Sequence, residues 1–134
     1  MQIALIIALS LHVLSSVFWA GSSFTLARTG GAGGEQLFRP QMGAALIAIL
    51  TGAYLGHQVH EGAFGTSEKV LAAGALAALI AAGVQVAVGG GAIRSLHSGT
   101  ADEAAARSRL AIAQRIAAAL LAVAAVCMGA ARYA

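Results

Sequence analysis

The stretch that decides the fold is IALIIALSLHVLSSVFWAGSSFTLA, residues 3–27, which contains no acidic or basic residue besides one histidine. A bilayer core of about 30 Å needs about 20 apolar residues per helix, so this stretch is long enough to span it. Three similar stretches follow, and we predict helices over residues 3–27, 40–60, 70–93 and 105–131. The sequence therefore predicts a single transmembrane domain, residues 1–134, with the all-α fold of an integral membrane four-helix bundle.

The composition excludes several classes of protein. Apolar residues make up 59% of the 134 residues and charged residues only 10%, and the mean hydropathy is +0.82. An ordinary globular protein carries about 25% charged residues. A disordered chain, a secreted disulfide scaffold and a nucleic-acid-binding module are therefore excluded, and a lipid bilayer is the expected environment. The lone Cys127 allows neither an intrachain disulfide nor a paired-thiol metal site.

The positive charges are divided unequally between the two ends of the predicted bundle. Lys69 and Arg132 fall at one end, whereas the other end carries five arginines: Arg28, Arg39, Arg94, Arg107 and Arg109. Because short cytoplasmic loops of membrane proteins are enriched in lysine and arginine, the arginine-rich end is predicted to be cytoplasmic. Both termini then lie outside (N-out/C-out), and we expect a multi-pass protein of a bacterial-type inner membrane.

Several polar side chains fall on one face of the first predicted helix. They recur at the i, i+3, i+4 and i+7 spacing of a helix, and they are His12, Ser15, Ser16, Trp19 and either Ser22 or Ser23. Polar groups are costly in hydrocarbon, so this face is expected to point into the bundle. Two interpretations remain open. Either these side chains form hydrogen bonds between helices, or His12 ligates a metal or a haem iron in a pocket lined by the serines and Trp19.

The end of the second predicted helix carries another polar group. Tyr54, His57 and Glu61 share one face, and the i, i+3 pair His57 and His60 could both reach one metal ion. Histidine and tyrosine near a membrane interface are also common anchors, so both interpretations stay open. If the first two helices are antiparallel neighbours, His12 lies about 9 Å deeper than His57 at 1.5 Å per residue.

Polar side chains also occur inside the later helices. Gln85, in the middle of the third, is expected to form an interhelical hydrogen bond. Gln114 and Arg115 lie a few residues inside the cytoplasmic end of the fourth, where Arg115 either extends to the interface or is buried against an anion. A buried guanidinium would imply a carboxylate, a haem propionate or a quinone oxygen as its partner.

The first helix resembles the opening helix of HemJ-type protoporphyrinogen IX oxidases and of the related copper-resistance CopD family. The residues that carry the resemblance are Leu11, His12, Val13, Leu14, Trp19, Ala20, Gly21, Phe24 and Arg28. Weaker similarities follow at Arg39, at Thr51 and Gly52, at Glu68, Lys69 and Val70, and over residues 110–115. The resemblance implies a membrane protein that binds b-type haem, with His12 at the position of the family's first-helix histidine.

The resemblance also implies roles for other residues. Lys69 corresponds to the family's third-helix lysine, and Lys69 and Arg115 would meet haem propionates or substrate carboxylates, as the predicted catalytic residues. The predicted cofactor-binding residues beside His12 are Ser15, Ser16, Trp19, Tyr54 and Gln114. The oxidases tend to have an amide followed by an acid where Gln114 and Arg115 stand, so activity as a protoporphyrinogen oxidase-like oxidoreductase is left open.

Three hypotheses about function follow. The first is a haem b protein with a redox or tetrapyrrole-linked role, for which a porphyrin or a quinone is a possible partner. The second is a non-catalytic structural or assembly subunit of a larger membrane complex or homo-oligomer. The third is transport of copper or another metal through His12, His57 and His60.

Overall fold

The computed structural model of the chain describes residues 2–59, 65–99 and 102–133. In these ranges the elements are α1 (Gln2–Arg28), α2 (Gly34–Val59), α3 (Thr66–Val84), α4 (Gly90–Ser98) and α5 (Glu103–Ala131), and none of them is a strand. A π-helical turn, Gln85–Gly89, links α3 to α4, so Thr66–Ser98 runs as one helix of 33 residues, which we call the composite helix. The predicted all-α fold is confirmed.

Three of the helices in the described ranges are long and apolar enough to cross a membrane, namely α1, the composite helix and α5. The helix α2 has 26 residues but is not among them. Its apolar run is interrupted by Pro40, Gln41, His57 and Gln58. The stretch predicted over residues 40–60 is therefore helical as far as Val59, but its composition alone does not mark it as a span.

Most helices extend further than predicted. The helix α2 begins at Gly34 rather than at residue 40, so Pro40 lies inside the helix instead of in its first turn. The composite helix begins at Thr66 and continues to Ser98, past the predicted limits of residues 70 and 93. The predicted limits followed the apolar runs, whereas helical hydrogen bonding continues into the polar residues on either side of them.

A glycine-rich turn reverses the chain between α1 and α2. Gly30, Gly31 and Gly33 have φ angles of 69°, 87° and 82°, in the left-handed region that glycine adopts without strain. Gly31 also packs closely, because a Cβ there would lie 2.9 Å from the carbonyl oxygen of Arg107. The turn therefore sets α1 and α2 antiparallel and lies against the first turns of α5.

Small residues let the helices approach closely. The main packed pairs are α1 with α2 and α3 with α5, and contact between α1 and α5 joins them. Apart from Trp19 and Leu121, the main buried cluster consists of alanines: Ala45, Ala48, Ala77, Ala78, Ala81, Ala117 and Ala124. Gly74 abuts α5, where a Cβ would lie 2.9 Å from the Cβ of Cys127. Close packing of this kind stabilises helices in lipid, where little hydrophobic force drives them together.

Candidate functional site

Three glutamine side chains from three different helices meet inside the bundle. Gln41 of α2, Gln85 of the π turn and Gln114 of α5 are each 0% exposed. Gln41 Nε2 donates to Gln114 Oε1 at 3.1 Å, and Gln114 Nε2 donates back to Gln41 Oε1 at 2.9 Å. Gln85 Nε2 donates to Gln114 Oε1 at 3.0 Å. These side chains, the glutamine cluster, connect α2, the composite helix and α5.

The helix α1 joins the glutamine cluster through Trp19 and Ser23. The indole N–H of Trp19 donates to Gln85 Oε1 at 2.7 Å. The Ser23 hydroxyl oxygen accepts from Gln85 Nε2 at 2.8 Å and from Gln41 Nε2 at 3.1 Å. No buried side-chain nitrogen or oxygen of the described residues lacks a hydrogen-bond partner. The cluster therefore links the helices and, with its buried groups satisfied, stabilises one arrangement of them.

The interhelical hydrogen bond predicted for Gln85 is confirmed. Trp19 and Gln114, predicted to bind a cofactor, lie in the same network. Sequence reasoning missed Gln41. The sequence did contain a signal for it. Gln41 lies four residues before Ala45 and seven before Ala48, so it shares with them the small-residue face of α2 that points into the bundle.

The π turn lies where the composite helix contributes Gln85 to the cluster. Such turns replace one turn of regular α-helix and occur often at functional sites. The two glycines at its end lie against neighbouring side chains, since a Cβ on Gly89 would be 3.3 Å from Leu110 Cδ1 and one on Gly90 would be 3.5 Å from Phe38 Cζ. Glycine at these positions keeps the distorted part of the helix close to α2 and α5.

His12 lies half-buried between α1 and α2. Its Nδ1 is 2.9 Å from the carbonyl oxygen of Ala48 and 3.2 Å from Thr51 Oγ1. A carbonyl can only accept, so the hydrogen-bond network assigns the proton of the neutral ring to Nδ1. Gly52 makes this approach possible, because a Cβ there would lie 2.9 Å from His12 Cε1. The second ring nitrogen, Nε2, is then unprotonated and able to ligate a metal.

Two open apolar grooves follow the seam between α1 and α2. One, of about 400 Å³ and here called the Tyr54 groove, is lined by Ala4, Ile7, Ala8, Leu11, Leu50, Thr51 and Tyr54. The other, of about 430 Å³ and here called the Pro40 groove, is lined by Leu11, Leu14, Ser15, Pro40, Gly43, Ala44 and Ile47. Leu11 lines both grooves, and Thr51 lines the Tyr54 groove while contacting the ring of His12.

The predicted pocket serines have different surroundings. Ser15 is buried and donates to the backbone carbonyl of Leu11 at 2.6 Å, so its hydroxyl proton is used within its own helix. Ser15 also lines the Pro40 groove, whereas Ser16 is half-buried and lines neither groove. The structure therefore places Ser15, but not Ser16, in the wall of a groove.

The three predicted metal-ligating histidines are not assembled into a site in the described part of the chain. His12 lies opposite Gly52, so His57 is five residues further along α2, or about 7.5 Å at 1.5 Å per residue. His57 is exposed, and His60 lies outside the described residues. Residues 2–59, 65–99 and 102–133 contain no group of three His, Cys, Asp or Glu side chains that could hold a metal ion.

The two predicted catalytic residues are both exposed. Lys69 lies near the start of α3, and Arg115 follows the buried Gln114 but lies on the outer side of α5. Neither forms an ion pair with any described residue. Of the two interpretations of Arg115, the exposed position agrees with a side chain that extends along the surface, and the structure does not bring it to His12.

The fold and the site define a small all-helical protein, with helices suited to a membrane and a histidine whose Nδ1 lies 2.9 Å from a backbone carbonyl oxygen. Compared with protein-family models, with curated proteins and with solved structures, the chain matches none.

Proposed function

We propose that the chain is a four-span, N-out/C-out protein of a bacterial-type inner membrane that binds b-type haem through His12. Its role would be redox or tetrapyrrole-linked, as in the HemJ and CopD families that its first helix resembles. The observation that supports this proposal is the hydrogen bond of 2.9 Å from His12 Nδ1 to the Ala48 carbonyl oxygen. Histidines that ligate metals usually donate their other ring N–H in this way.

The donor atom fits haem, but the bundle interior does not provide space for it. The buried cluster that includes Ala48, the hydrogen-bond partner of His12, is filled mainly by alanines from three helices, and Gly52 lies against the imidazole ring. The apolar Tyr54 groove shares Thr51 with His12 and opens to the outside. On this proposal His12 supplies the ligand nitrogen, Ala48 keeps the ring in one tautomer, and the groove supplies an apolar, water-poor surface.

Bound haem would supply reversible one-electron transfer. The contribution of this chain is to hold the imidazole orientation fixed and to keep the proton on Nδ1. The exposed positions of Lys69 and Arg115 lend no support to a role beside the haem. The proposal therefore rests on His12, Ala48 and Thr51.

The test is the visible absorption spectrum of detergent-purified protein, oxidised and then reduced with dithionite. Wild type and the His57→Ala control should both show a Soret band and reduced α and β bands. His12→Ala should lose them. Thr51→Val should keep them, because the Ala48 carbonyl still accepts the Nδ1 proton. A colourless wild type from haem-replete cells, or an unchanged spectrum in His12→Ala, would overturn the proposal.

A second candidate function is a non-catalytic subunit of a larger membrane complex, and the outer face of α1 supports it. That helix carries large apolar side chains that are more than half exposed, such as Ile3 at 73%, Leu14 at 69% and Val17 at 66%. Both lipid and a partner helix could cover such a face. A subunit should co-purify with a defined partner from native membranes, and a monodisperse single chain in mild detergent would contradict this function.

Copper transport remains a third proposal. It requires His60 to complete a site with His12 and His57. Equilibrium dialysis with Cu(I) should then show about one ion per chain, and the double substitution His12→Ala and His57→Ala should abolish binding. Retained stoichiometric binding in the double variant would exclude these residues as ligands.

A further inference from the structure

The Pro40 groove has an apolar surface although a serine lines it. The Ser15 hydroxyl donates to Leu11 O at 2.6 Å, so it does not offer a free proton to a ligand. The other lining groups include Leu14, Gly43 and Ile47, which have no polar side-chain atoms. An occupant of this groove must therefore be an apolar chain rather than a polar molecule.

The dimensions of the groove suit a single hydrocarbon chain. It extends along α2 from Pro40 to Ile47, seven residues or about 10 Å at 1.5 Å per residue. One leaflet of the hydrocarbon core is about 15 Å deep, half of the whole. The groove can therefore hold much of one acyl chain of a lipid in the leaflet on the side of Pro40. The space beside Gly43 is open, since a Cβ at that position would meet no atom within 4 Å, so a larger side chain there would have room to occupy the groove.

A positive charge lies where this groove ends. Arg39 immediately precedes Pro40, is exposed, and forms no ion pair with any described residue. Its acidic neighbour on the first turn, Glu35, is instead 3.7 Å from His97 Nε2. Arg28 ends α1 at the same end of the antiparallel pair and is exposed as well. The charge at the mouth of the groove is thus complementary to an anionic headgroup.

We propose that the Pro40 groove binds one acyl chain of an anionic phospholipid, whose phosphate is met by Arg39. This inference rests on the membrane insertion in the proposed function and is independent of haem. Basic residues near the cytoplasmic membrane surface attract anionic lipids, and an apolar groove beside them adds selectivity for a bound chain. The site combines a groove with a charge, whereas Arg94 at the same end lines neither the Pro40 groove nor the Tyr54 groove.

The experiment is native mass spectrometry of the whole protein, released from micelles with added dioleoyl phosphatidylglycerol or dioleoyl phosphatidylcholine. Wild type should retain one phosphatidylglycerol per chain in preference to phosphatidylcholine. Arg39→Gln should lower that preference about fivefold, the effect expected for one arginine at an anionic surface. Gly43→Leu fills the groove and should reduce retention of both lipids at least tenfold. Arg94→Gln and Gly83→Leu are the matched controls, and a Cβ on Gly83 also meets nothing within 4 Å.

Several results would overturn the proposal. Equal retention of the two lipids by wild type would remove the charge selectivity, and equal losses in Arg39→Gln and Arg94→Gln would indicate a general surface charge. Displacement of the lipid by glycerol 3-phosphate alone would mean that the phosphate, without the chain, is the ligand. Loss of a dimer peak, but not of lipid, in Gly43→Leu would assign the groove to a second copy. Haem content is measured separately from the visible spectra of the same samples. A failure of the lipid proposal can therefore be distinguished from a failure of the haem proposal.

Discussion

Replacing Gln85 by leucine should destabilise the bundle more than any comparable change on its surface. Gln85 accepts from the Trp19 indole at 2.7 Å and donates to Ser23 at 2.8 Å and to Gln114 at 3.0 Å. Gln85→Leu keeps a side chain of similar volume but removes all three interhelical hydrogen bonds. It also leaves the buried indole N–H of Trp19 without its acceptor.

The expected loss is about 3 kcal/mol of unfolding free energy. Interhelical hydrogen bonds in a membrane protein average about 0.6 kcal/mol each, so the three bonds account for about 2 kcal/mol. A buried donor left unpaired adds about 1 kcal/mol, the lower end of its usual cost. Gln36→Leu is the matched control, because Gln36 is exposed on α2. Its effect should stay within about 0.5 kcal/mol.

The assay is unfolding in mixed micelles of mild detergent and increasing dodecyl sulfate, followed by tryptophan emission. Trp19 is the one tryptophan of the chain, so its emission reports directly on the cluster. Gln114→Leu and the double variant complete a thermodynamic cycle. Because Gln85 and Gln114 share a hydrogen bond, the double variant should lose about 1 kcal/mol less than the two single losses together.

Two results would refute this reasoning. If Gln85→Leu is as stable as Gln36→Leu, the buried amides do not hold the helices together. If the losses from Gln85→Leu and Gln114→Leu add without coupling, the two side chains do not interact in the membrane protein as they do in the structure.

Two further predictions concern packing and orientation. Gly74→Ala places a Cβ 2.9 Å from that of Cys127 and should lower the unfolding free energy by about 1–3 kcal/mol in the same assay. Gly83→Ala is the control and should cause no loss, because a Cβ there meets no atom within 4 Å. An equal effect of both would contradict the close contact of α3 with α5. In a Cys127→Ala background, a membrane-impermeant maleimide should label Gln2→Cys on intact cells but Ala32→Cys only after permeabilisation, and the opposite pattern would reverse the proposed N-out orientation.

The sequence predicts the inward face of α1 well, for a physical reason. Polar side chains are too costly in lipid to be placed at random, so His12, Trp19 and Ser23 at helical spacing had to find partners inside the bundle. In the structure these partners are the Ala48 carbonyl for His12, Gln85 for Trp19 and Gln41 for Ser23. The same argument predicts the interhelical bond of Gln85.

The identity of the partners could not be predicted from spacing. Gln41 and Ala48 lie on α2, and which of its residues meet Ser23 and His12 depends on the antiparallel register of α1 and α2. That register is set by the glycine turn after α1. The conformation of this turn cannot be derived from its amino-acid composition. The π turn at Gln85 is a similar case, because its five residues contain no proline and differ little from the flanking apolar helix.

The ends of the helices were also beyond prediction, because hydropathy marks the apolar part of a helix and not its full length. The helix α2 shows this most clearly, since it begins at Gly34 although the predicted helix begins at residue 40. The position of Arg115 required the structure for another reason. Neighbouring residues of a helix point in different directions, so one can be buried and the next exposed. Gln114 is buried here, and Arg115 is exposed.

The ratio of haem to protein in the purified wild type tests the central claim most directly. It is measured from the pyridine haemochrome spectrum and quantitative amino-acid analysis, after expression with excess haem precursor. We expect close to one haem b per chain in wild type and in His57→Ala, and less than a tenth of that ratio in His12→Ala. A wild type that carries no haem under these conditions, or a His12→Ala variant that keeps it, would contradict the assignment of His12 as the ligand.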